Sequence, residues 1–340
     1  MQHLNQLYRY ASSMKVGITL LCLSALLAAA GSVFYPDAFF QTVLFKLIFL
    51  LLFSNMVLCS FNQISKFVKL RSNGRRSKWF CLKRISLVTL HAGIVLIMVG
   101  GATNAYCSQS TQVTVTEGNT VDLSTIIPSQ RALQLRLNQF EISFYANGSP
   151  SQYYSRVSIT DDSRYADNYT ISVNHPLNYA GIKIYQESFG YMVNVKVDSG
   201  TGGVPGKLLA EGQTINIPGT DRSIKAYKYI PDFVPDYGMN TRSLKPNNPK
   251  VVYSVYEKEA LLGIGLASFG EKIEISKGVY VNFNGVTPFA VLRIKRDPGI
   301  LIVATGGLML IVGVCLSMLY PLQKKNKPQF AKKEDRIYGL

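Results

Sequence analysis

Four long apolar segments constrain this chain more than any other feature of its sequence. They run from Val16 to Phe34, from Leu44 to Phe61, from Ile85 to Tyr106 and from Ile300 to Tyr320. A helix of about 20 residues crosses the hydrocarbon layer of a membrane, and each segment is close to that length. The first segment is too long for a cleavable signal peptide and is followed by a second one. The sequence therefore predicts four transmembrane helices, in agreement with its low content of charged residues, 16%.

Basic residues are distributed unevenly between the connections of these segments. Arg9 and Lys15 precede the first segment, eight Lys or Arg lie within residues 62–84, six lie beyond Pro321, and residues 35–43 contain none. Basic residues accumulate in the short cytoplasmic loops of membrane proteins. We therefore predict cytoplasmic termini and a basic cytoplasmic loop at residues 62–84. The formal net charge of +16 then indicates membrane topology and does not indicate a nucleic-acid partner.

This topology divides the chain into three parts. Residues 1–106 hold the first three helices, residues 107–297 form one outer domain, and residues 298–340 hold the fourth helix and a basic tail. Runs rich in Val, Ile, Tyr and Thr in the outer part alternate with turn residues, which is typical of antiparallel strands. We predict a β sandwich or open barrel with strands at Thr111–Thr116, Leu133–Tyr145, Gln152–Thr160, Tyr169–Asn174, Ile182–Gln186, Tyr191–Val197, Val251–Tyr256, Lys272–Ile275 and Val279–Phe283.

Three other stretches of the outer part have a distinct local character. Asn147–Pro150 separates two strand-like runs as a hairpin loop does, and Gly200–Gly206 indicates an exposed turn or loop. Glu257–Ser268 is the one stretch that favours a helix. Cys107 stands alone at the outer membrane edge, so we expect no disulfide within the outer domain.

Few residues of the chain could carry chemistry. Its three histidines, His3, His91 and His175, form no His-x-x-x-His pair, and its five cysteines form no Cys-x-x-Cys pair. This disfavours a protein zinc site and excludes a c-type cytochrome. The glycine-rich stretches Gly202–Leu208 and Gly263–Ser268 lack the spacing of nucleotide-binding loops. No catalytic constellation is evident, so the sequence leaves open whether the chain is itself an enzyme.

His91 is the most informative side chain, because it lies within the third apolar segment. It follows Ile85 by six residues, which places it roughly 9 Å inside the cytoplasmic edge of a helical span. An ionisable residue inside a span is costly and is a functional hypothesis by default. Two interpretations stay open: a neutral imidazole bonded to a neighbouring helix, or an axial ligand of haem iron. Gly93, Gly100 and Gly101 would admit either a partner helix or a flat porphyrin.

Three segments of the chain carry a resemblance to a known family. The first is His91-Ala92-Gly93-Ile94-Val95-Leu96-Ile97-Met98-Val99-Gly100-Gly101. The second, the most specific, is Asn174-His175-Pro176-Leu177-Asn178-Tyr179-Ala180-Gly181-Ile182-Lys183-Ile184-Tyr185-Gln186-Glu187-Ser188-Phe189. The third is Arg296-Asp297-Pro298-Gly299. In these segments and in its order of spans, the chain resembles the ResB family of cytochrome c biogenesis proteins, called CcsB in other bacteria and Ccs in plastids.

The resemblance implies a function in system II cytochrome c maturation. A ResB-like chain and a ResC (CcsA) partner would carry haem b across the bacterial inner membrane and present it to apocytochrome c for thioether attachment. His91 matches the position of an axial haem ligand in the family, and the second ligand would come from the partner. The single tryptophan, Trp79, lies on the predicted cytoplasmic side, so the Trp-rich outer segment of the partner is missing here. The resemblance therefore implies one subunit of a two-chain haem lyase (synthase) with a periplasmic β domain.

Other residues of these segments have plainer interpretations. Asp297 followed by Pro298 predicts the start of the fourth helix. His175 is a candidate contact for haem or apocytochrome, with capping or surface hydrogen bonding as the alternative. Asn55, in the second span, is a candidate interhelical hydrogen-bonding residue, with a place near the cofactor as one option. The remaining motif residues are predicted to pack within a sheet: Tyr185, Gln186 and Phe189.

The main alternative function needs no cofactor. In it, the chain is a membrane-anchored binding or assembly module, His91 is structural, and the outer β domain captures an exported partner. A secondary transporter is disfavoured, because four spans without inverted-repeat symmetry offer little material for alternating access.

Overall fold

The computed structural model describes residues 2–34, 39–72, 78–124, 132–161, 164–199 and 204–325. It contains a helical unit, Met1–Ser108 with Asp297–Leu340, and a β unit, Gln109–Arg296. The helices are α1 (Gln2–Ala11), α2 (Met14–Phe34), α3 (Val43–Ser72), α4 (Lys78–Cys107) and α5 (Ile300–Lys325).

Four of these helices are long and apolar enough to cross a membrane. Their spans are Met14–Phe34, Val43–Lys69, Cys81–Cys107 and Ile300–Leu319. This confirms the four predicted transmembrane helices. Helix α1 has no counterpart in the prediction, and α3 and α4 extend by several residues into the stretch 62–84, which the sequence predicts to be a loop.

The break between α1 and α2 is held by polar side chains of α3. The buried Asn55 donates from Nδ2 to the carbonyl oxygens of Ala11 and Ser13, at 2.6 and 3.2 Å. The Cys59 thiol donates to the carbonyl oxygen of Ser12 at 3.2 Å. Carbonyl groups released by a helix break need such partners where water is absent. The prediction that Asn55 bonds across helices is confirmed, and its role is to satisfy this break.

Helices α4 and α5 pack backbone against backbone along a seam of small residues. Ser86, Gly93 and Gly100 on α4 recur every seven residues, as do Gly299, Gly306 and Gly313 at and along α5. The two sets interlock, and a seven-residue period keeps one stripe of each helix facing its partner. A Cβ atom on Gly306 would lie 2.7 Å from the Gly93 carbonyl oxygen. The Ser86 hydroxyl donates to the Gly313 carbonyl oxygen at 2.9 Å.

Within the described residues, the β unit contains fourteen strands, which pair antiparallel in three sheets. The largest sheet has the order β1-β14-β7-β6, with β13 on β14 and β8 on β7, and two four-stranded sheets have the orders β2-β3-β4-β5 and β12-β11-β10-β9. The strands are β1 (Gln109–Thr116), β2 (Thr120–Asp122), β3 (Leu133–Phe144), β4 (Pro150–Asp161), β5 (Arg164–Ser172), β6 (Leu177–Tyr179), β7 (Ile182–Ser199), β8 (Val204–Leu209), β9 (Thr214–Asn216), β10 (Arg222–Ile230), β11 (Lys250–Glu257), β12 (Ala260–Ser268), β13 (Lys272–Ser276) and β14 (Val279–Arg296).

The two 18-residue strands β7 and β14 pair with each other and form the floor of the β unit, on which the two four-stranded sheets pack. Pairing shifts by one residue at Glu187 in β7 and at Asn284 in β14. Each bulge reverses the alternation of inward and outward side chains beyond it. Ile184 and Val195 lie on opposite sides of the Glu187 bulge, so they face the same side of the sheet although their positions differ by an odd number, eleven. Both are fully buried.

Two hydrophobic cores lie side by side on this face of the floor. The sheet β2-β3-β4-β5 covers one core with residues such as Leu135, and the sheet β12-β11-β10-β9 covers the other with residues such as Ile224. Sheets that pack face to face around a core form a sandwich. The predicted antiparallel β domain is confirmed, in the sandwich form and not as a closed barrel.

Three local predictions for the β unit need comment. Glu257–Ser268 was predicted to favour a helix, and this was wrong: most of it is strand β12, paired with β11. Gly263 and Gly265 weaken a helix, and pairing with β11 decides the outcome. Gly206 lies in β8 and not in a loop, while residues 200–203 lie outside the described residues. The hairpin at Asn147–Pro150 is confirmed, since β4 begins at Pro150.

Candidate functional site

His91 is held in one orientation by its own helix. Its Nδ1 atom lies 2.8 Å from the carbonyl oxygen of Leu87, one helical turn earlier. A carbonyl oxygen only accepts hydrogen bonds, so Nδ1 carries a proton, and in the neutral imidazole Nε2 then keeps its lone pair. Among the described residues, no side chain or backbone group bonds Nε2. A ring nitrogen bound to a carbonyl, with the other one free, is the arrangement of a metal-ligating histidine.

His91 lies on the side of α4 that faces away from the glycine seam. Gly93, two residues further on, is rotated by about 200° around a helix of 3.6 residues per turn and packs against α5. Arg84, seven residues earlier, shares the His91 stripe and donates to Gln63 of α3 at 3.0 Å. The imidazole is part-buried. It therefore belongs to the side of α4 on which α3 packs.

The two interpretations of the small residues in α4 are now separated. Gly93 and Gly100 are both filled by α5, because a Cβ on either one would meet backbone atoms of that helix at 2.8 Å. Gly101 faces open space, since a Cβ atom at that position would have no neighbouring atom within 4 Å. The first two glycines thus join helices, and they are unavailable to a porphyrin.

The helical unit offers one side chain, His91, that could ligate haem iron, and its described residues do not form a complete metal site. No group of three or more His, Cys, Asp and Glu side chains occurs within the part of the chain that the structure describes. The neighbouring groups of His91 on α4 are apolar, with Leu87 before it and Val95 after it. One imidazole with a free Nε2 in apolar surroundings can bind haem iron if a second protein supplies the opposite ligand.

The most specific motif of the sequence folds into two tight turns and a bulge. Asn174, at φ 67°, lies in the turn between β5 and β6. Ala180 and Gly181, at φ 47° and 81°, form the two-residue turn between β6 and β7, where hairpins favour positive φ at both positions. The bulge at Glu187 follows within the same motif. These residues determine how the chain enters the long floor strand.

Gln186 anchors this bulge from inside the β unit. Its Oε1 accepts a hydrogen bond from the Ser155 hydroxyl at 2.6 Å, and its Nε2 donates to the Ser188 carbonyl oxygen at 2.8 Å. Next to it, Glu187 projects outward and pairs with Arg293, whose Nε lies 2.9 Å from Oε2. Hydrogen bonding from Arg293 holds the pKa of Glu187 below its usual range. The prediction that Gln186 packs within a sheet is confirmed.

His175 is an exposed residue of the turn that precedes β6. Its backbone pairs with Ser172, and its Nδ1 lies 3.3 Å from the Val173 carbonyl oxygen and 3.5 Å from the Ser172 hydroxyl. Surface hydrogen bonding accounts for these contacts. His175 lies in the β unit and His91 in the helical unit.

A chain of six aromatic rings crosses the border between the two cores, and sequence reasoning missed it. Neighbouring ring centroids lie 4.8 to 6.1 Å apart. Tyr229 is buried in this chain, and burial raises its pKa to about 12. Phe189, from the most specific motif, lies near the middle. The rings belong to Phe140, Tyr153, Phe189, Tyr191, Tyr229 and Phe269.

The start of the fourth span differs slightly from the prediction. Helix α5 begins at Ile300, whose amide donates to the Asp297 carbonyl oxygen at 3.2 Å. Asp297 and Pro298 therefore form the turn that leads into the helix and are not its first residues. The Gly299 amide donates to Oδ1 of Asn104 on α4 at 2.8 Å, which ties this turn to the end of α4.

The chain matches a known family over most of its length. The model of a family described as the ResB-like family matches residues 81–324, a stretch that contains most of α4, the β unit and nearly all of α5. A protein named Cytochrome c biogenesis protein CcsB from Trichormus variabilis is 29% identical over 269 residues, covering 74% of this chain and 56% of its own. Its counterpart from Synechococcus sp. WH7803 is 26% identical over 243 residues, covering 69% and 52%.

A protein named Cytochrome c biogenesis protein Ccs1 from Porphyra purpurea is 26% identical over 261 residues, covering 72% of this chain and 56% of its own. The chain thus spans about half the length of the curated relatives that it matches. A solved structure named Cytochrome c Heme Lyase CcmF covers 90% of this chain and 35% of its own with a TM-score of 0.33 and 9% identity. That likeness is too weak to inform fold or function.

Proposed function

Because the chain belongs to the ResB-like family, we propose that it is a membrane subunit of a system II cytochrome c biogenesis complex. Its task would be to carry haem across the bacterial inner membrane together with a ResC (CcsA) partner and to present it to apocytochrome c outside. The names of the relatives support the biogenesis function. The four spans support a multi-pass membrane protein, and the distribution of basic residues supports cytoplasmic termini.

The observation that carries the proposal is the free Nε2 atom of His91. The bond from Nδ1 to the Leu87 carbonyl oxygen points the imidazole outward from α4 in its metal-binding tautomer. A histidine ligates iron through an unprotonated ring nitrogen, and Nε2 of His91 is the ring nitrogen without a protein partner among the described residues. His91 would bind one face of the haem iron, and a histidine of the partner would bind the other.

The β unit would contribute binding and orientation. Thioether formation joins two cysteine thiols of the apocytochrome to the haem vinyl groups, a reaction that needs correct placement more than acid or base groups. Within the described residues, the β unit shows no cluster of metal-binding side chains. We therefore assign it a binding function for the apocytochrome and assign the haem ligand to α4.

Maturation of a reporter cytochrome tests the proposal. The chain and its partner are produced in a host without its own maturation system, and covalent haem in the reporter is measured on denaturing gels. His91→Ala should abolish covalent haem, and added imidazole should partly restore it by filling the vacated ligand position. Thr103→Ala is the matched control, because Thr103 also bonds the carbonyl four residues earlier on α4, that of Val99. Unchanged maturation with His91→Ala would contradict the proposal.

A further inference from the structure

Strand β12 is an apolar strand at the open edge of its sheet. It pairs with β11 on one side, and among the described residues no strand pairs with its other side. Its nine residues contain no charge and no proline. Four of its large side chains are half exposed: Leu261 at 52%, Leu262 at 50%, Ile264 at 60% and Leu266 at 42%.

The other sheet edges of the described β unit are protected by familiar means. Natural proteins shorten their edge strands or place charge and proline on them, because an open edge recruits other chains. β2, β6 and β9 are three residues long, and β1 is mainly Gln, Ser and Thr. The remaining edges whose side chains the structure describes carry charge or proline: Pro205 and Lys207 in β8, and Lys272 and Glu274 in β13. β12 differs from all of them.

Lipid is a poor partner for the exposed edge of β12. An edge strand presents a row of unpaired N–H and C=O groups, and each such group in hydrocarbon costs several kcal/mol. A second copy of this chain is also a poor partner. A stable interface uses about 20–30 residues on each side, whereas this edge offers nine. The chemistry that fits is a single extended, uncharged peptide segment, which satisfies the backbone groups and covers the leucine and isoleucine side chains.

We propose that β12 binds an extended segment of the apocytochrome by adding it to the sheet as a fifth strand. The identity of this segment rests on the proposed function. In that function the apocytochrome, which is unfolded without haem, reaches the outer side of the membrane, where the β unit would lie. Gly263 faces open space. The edge can therefore accept a strand without displacing a side chain at that position.

Binding of haem-free cytochrome c to the full chain in lipid nanodiscs tests the proposal. Ile264→Lys and Leu262→Lys place a charge on the edge, and each should weaken the Kd measured by fluorescence anisotropy about tenfold, or about 1.4 kcal/mol. Tyr237→Lys is the matched control, because it puts the same charge on an equally exposed ring of the same unit (51%) and should leave Kd unchanged. Equal loss in the control, or no loss at the edge, would overturn the proposal.

Hydrogen exchange separates strand addition from other contacts. Amides within residues 260–268 should exchange more slowly when the apoprotein is bound, and the Lys variants should lose this protection while keeping the wild-type unfolding temperature. Protection of these amides before the apoprotein is added would overturn the proposal. Protection that rises with the concentration of the chain would assign the edge to a second copy. Protection that appears when the chain is moved from detergent into nanodiscs would assign the edge to lipid. Haem absorbance of the complex should stay unchanged in the edge variants, so a failure here is distinct from a failure at His91.

Discussion

The carbonyl oxygen of Leu87 lies 2.8 Å from Nδ1 of His91, one turn further along the same transmembrane helix. This bond determines which ring nitrogen is protonated and which remains available to a metal. The imidazole does not take part in the seam between α4 and α5, because the glycines of that seam lie on the other side of α4.

Membrane orientation is tested by thiol labelling in a variant without native cysteines. Lys258→Cys, in the exposed turn between β11 and β12, should react with an impermeant maleimide in intact spheroplasts. Lys69→Cys, near the end of α3, should react only after permeabilisation. The reason is the concentration of basic residues in the segments assigned to the cytoplasm. The reverse pattern would refute the orientation.

The glycine seam should tolerate no added side chain. Gly306→Val would place a Cβ 2.7 Å from the Gly93 carbonyl oxygen, so α4 and α5 must move apart. We expect a loss of about 1–3 kcal/mol, as for overpacked interiors, seen as a lower thermal unfolding temperature in detergent. Gly307→Val is the control, because no atom lies within 4 Å of that position. Equal destabilisation by both variants would contradict the seam.

The Gln186 anchor should be important for the stability of the β unit. Gln186→Leu leaves the Ser188 carbonyl oxygen and the Ser155 hydroxyl without their partner, which costs about 1–3 kcal/mol for buried polar groups. Asn178→Leu, at an exposed position of the same motif, should have little effect. The unfolding midpoints of the two variants in urea provide the comparison. If the Gln186→Leu protein were as stable as the wild type, the Gln186 hydrogen bonds would not stabilise the bulge.

The long loop between β10 and β11 contains a buried carboxylate, so the folded β unit should lose stability in acid. Hydrogen bonds from Arg242, Ser243 and Asn247 hold the pKa of the buried Asp232 below its ordinary value of 3.8. A lowered pKa stabilises the folded state above that ordinary value, and the contribution is lost as the pH falls through the folded-state pKa. Asp232→Asn should therefore lower the unfolding temperature at pH 7 and reduce its decline below about pH 4. Asp236→Asn, at an exposed position of the same loop, should leave the unfolding temperature at pH 7 unchanged.

Sequence reasoning was most successful where the signal is local. Twenty apolar residues in a row predict a span regardless of what lies nearby, and the turn at Asn147–Pro150 depends on its own residues. It was least successful where pairing between distant segments decides. The pattern of Leu and Gly in β12 is ambiguous between helix and strand, and only β11 makes it a strand. The strands predicted at Ile182–Gln186 and Tyr191–Val197 are one strand, because a bulge hides the change of alternation between them.

The candidate site was predictable in part for the same reason. An imidazole inside an apolar segment is visible in the sequence, so His91 is a candidate from the sequence alone. Its tautomer depends on a hydrogen bond to a carbonyl group, which no sequence pattern reports. The function of Gly93 stayed open until α5, more than 200 residues away, was placed against it.

The most direct test of the haem-ligand assignment is the absorption spectrum of the complex purified with its ResC-like partner. The wild-type complex should contain haem, and its reduced spectrum should be that of low-spin iron with two nitrogen ligands. His91→Ala should remove or strongly weaken this signal, whereas Thr103→Ala should retain it. If a well-expressed His91→Ala complex keeps the haem content and spectrum of the wild type, His91 is not the ligand and the central claim is wrong.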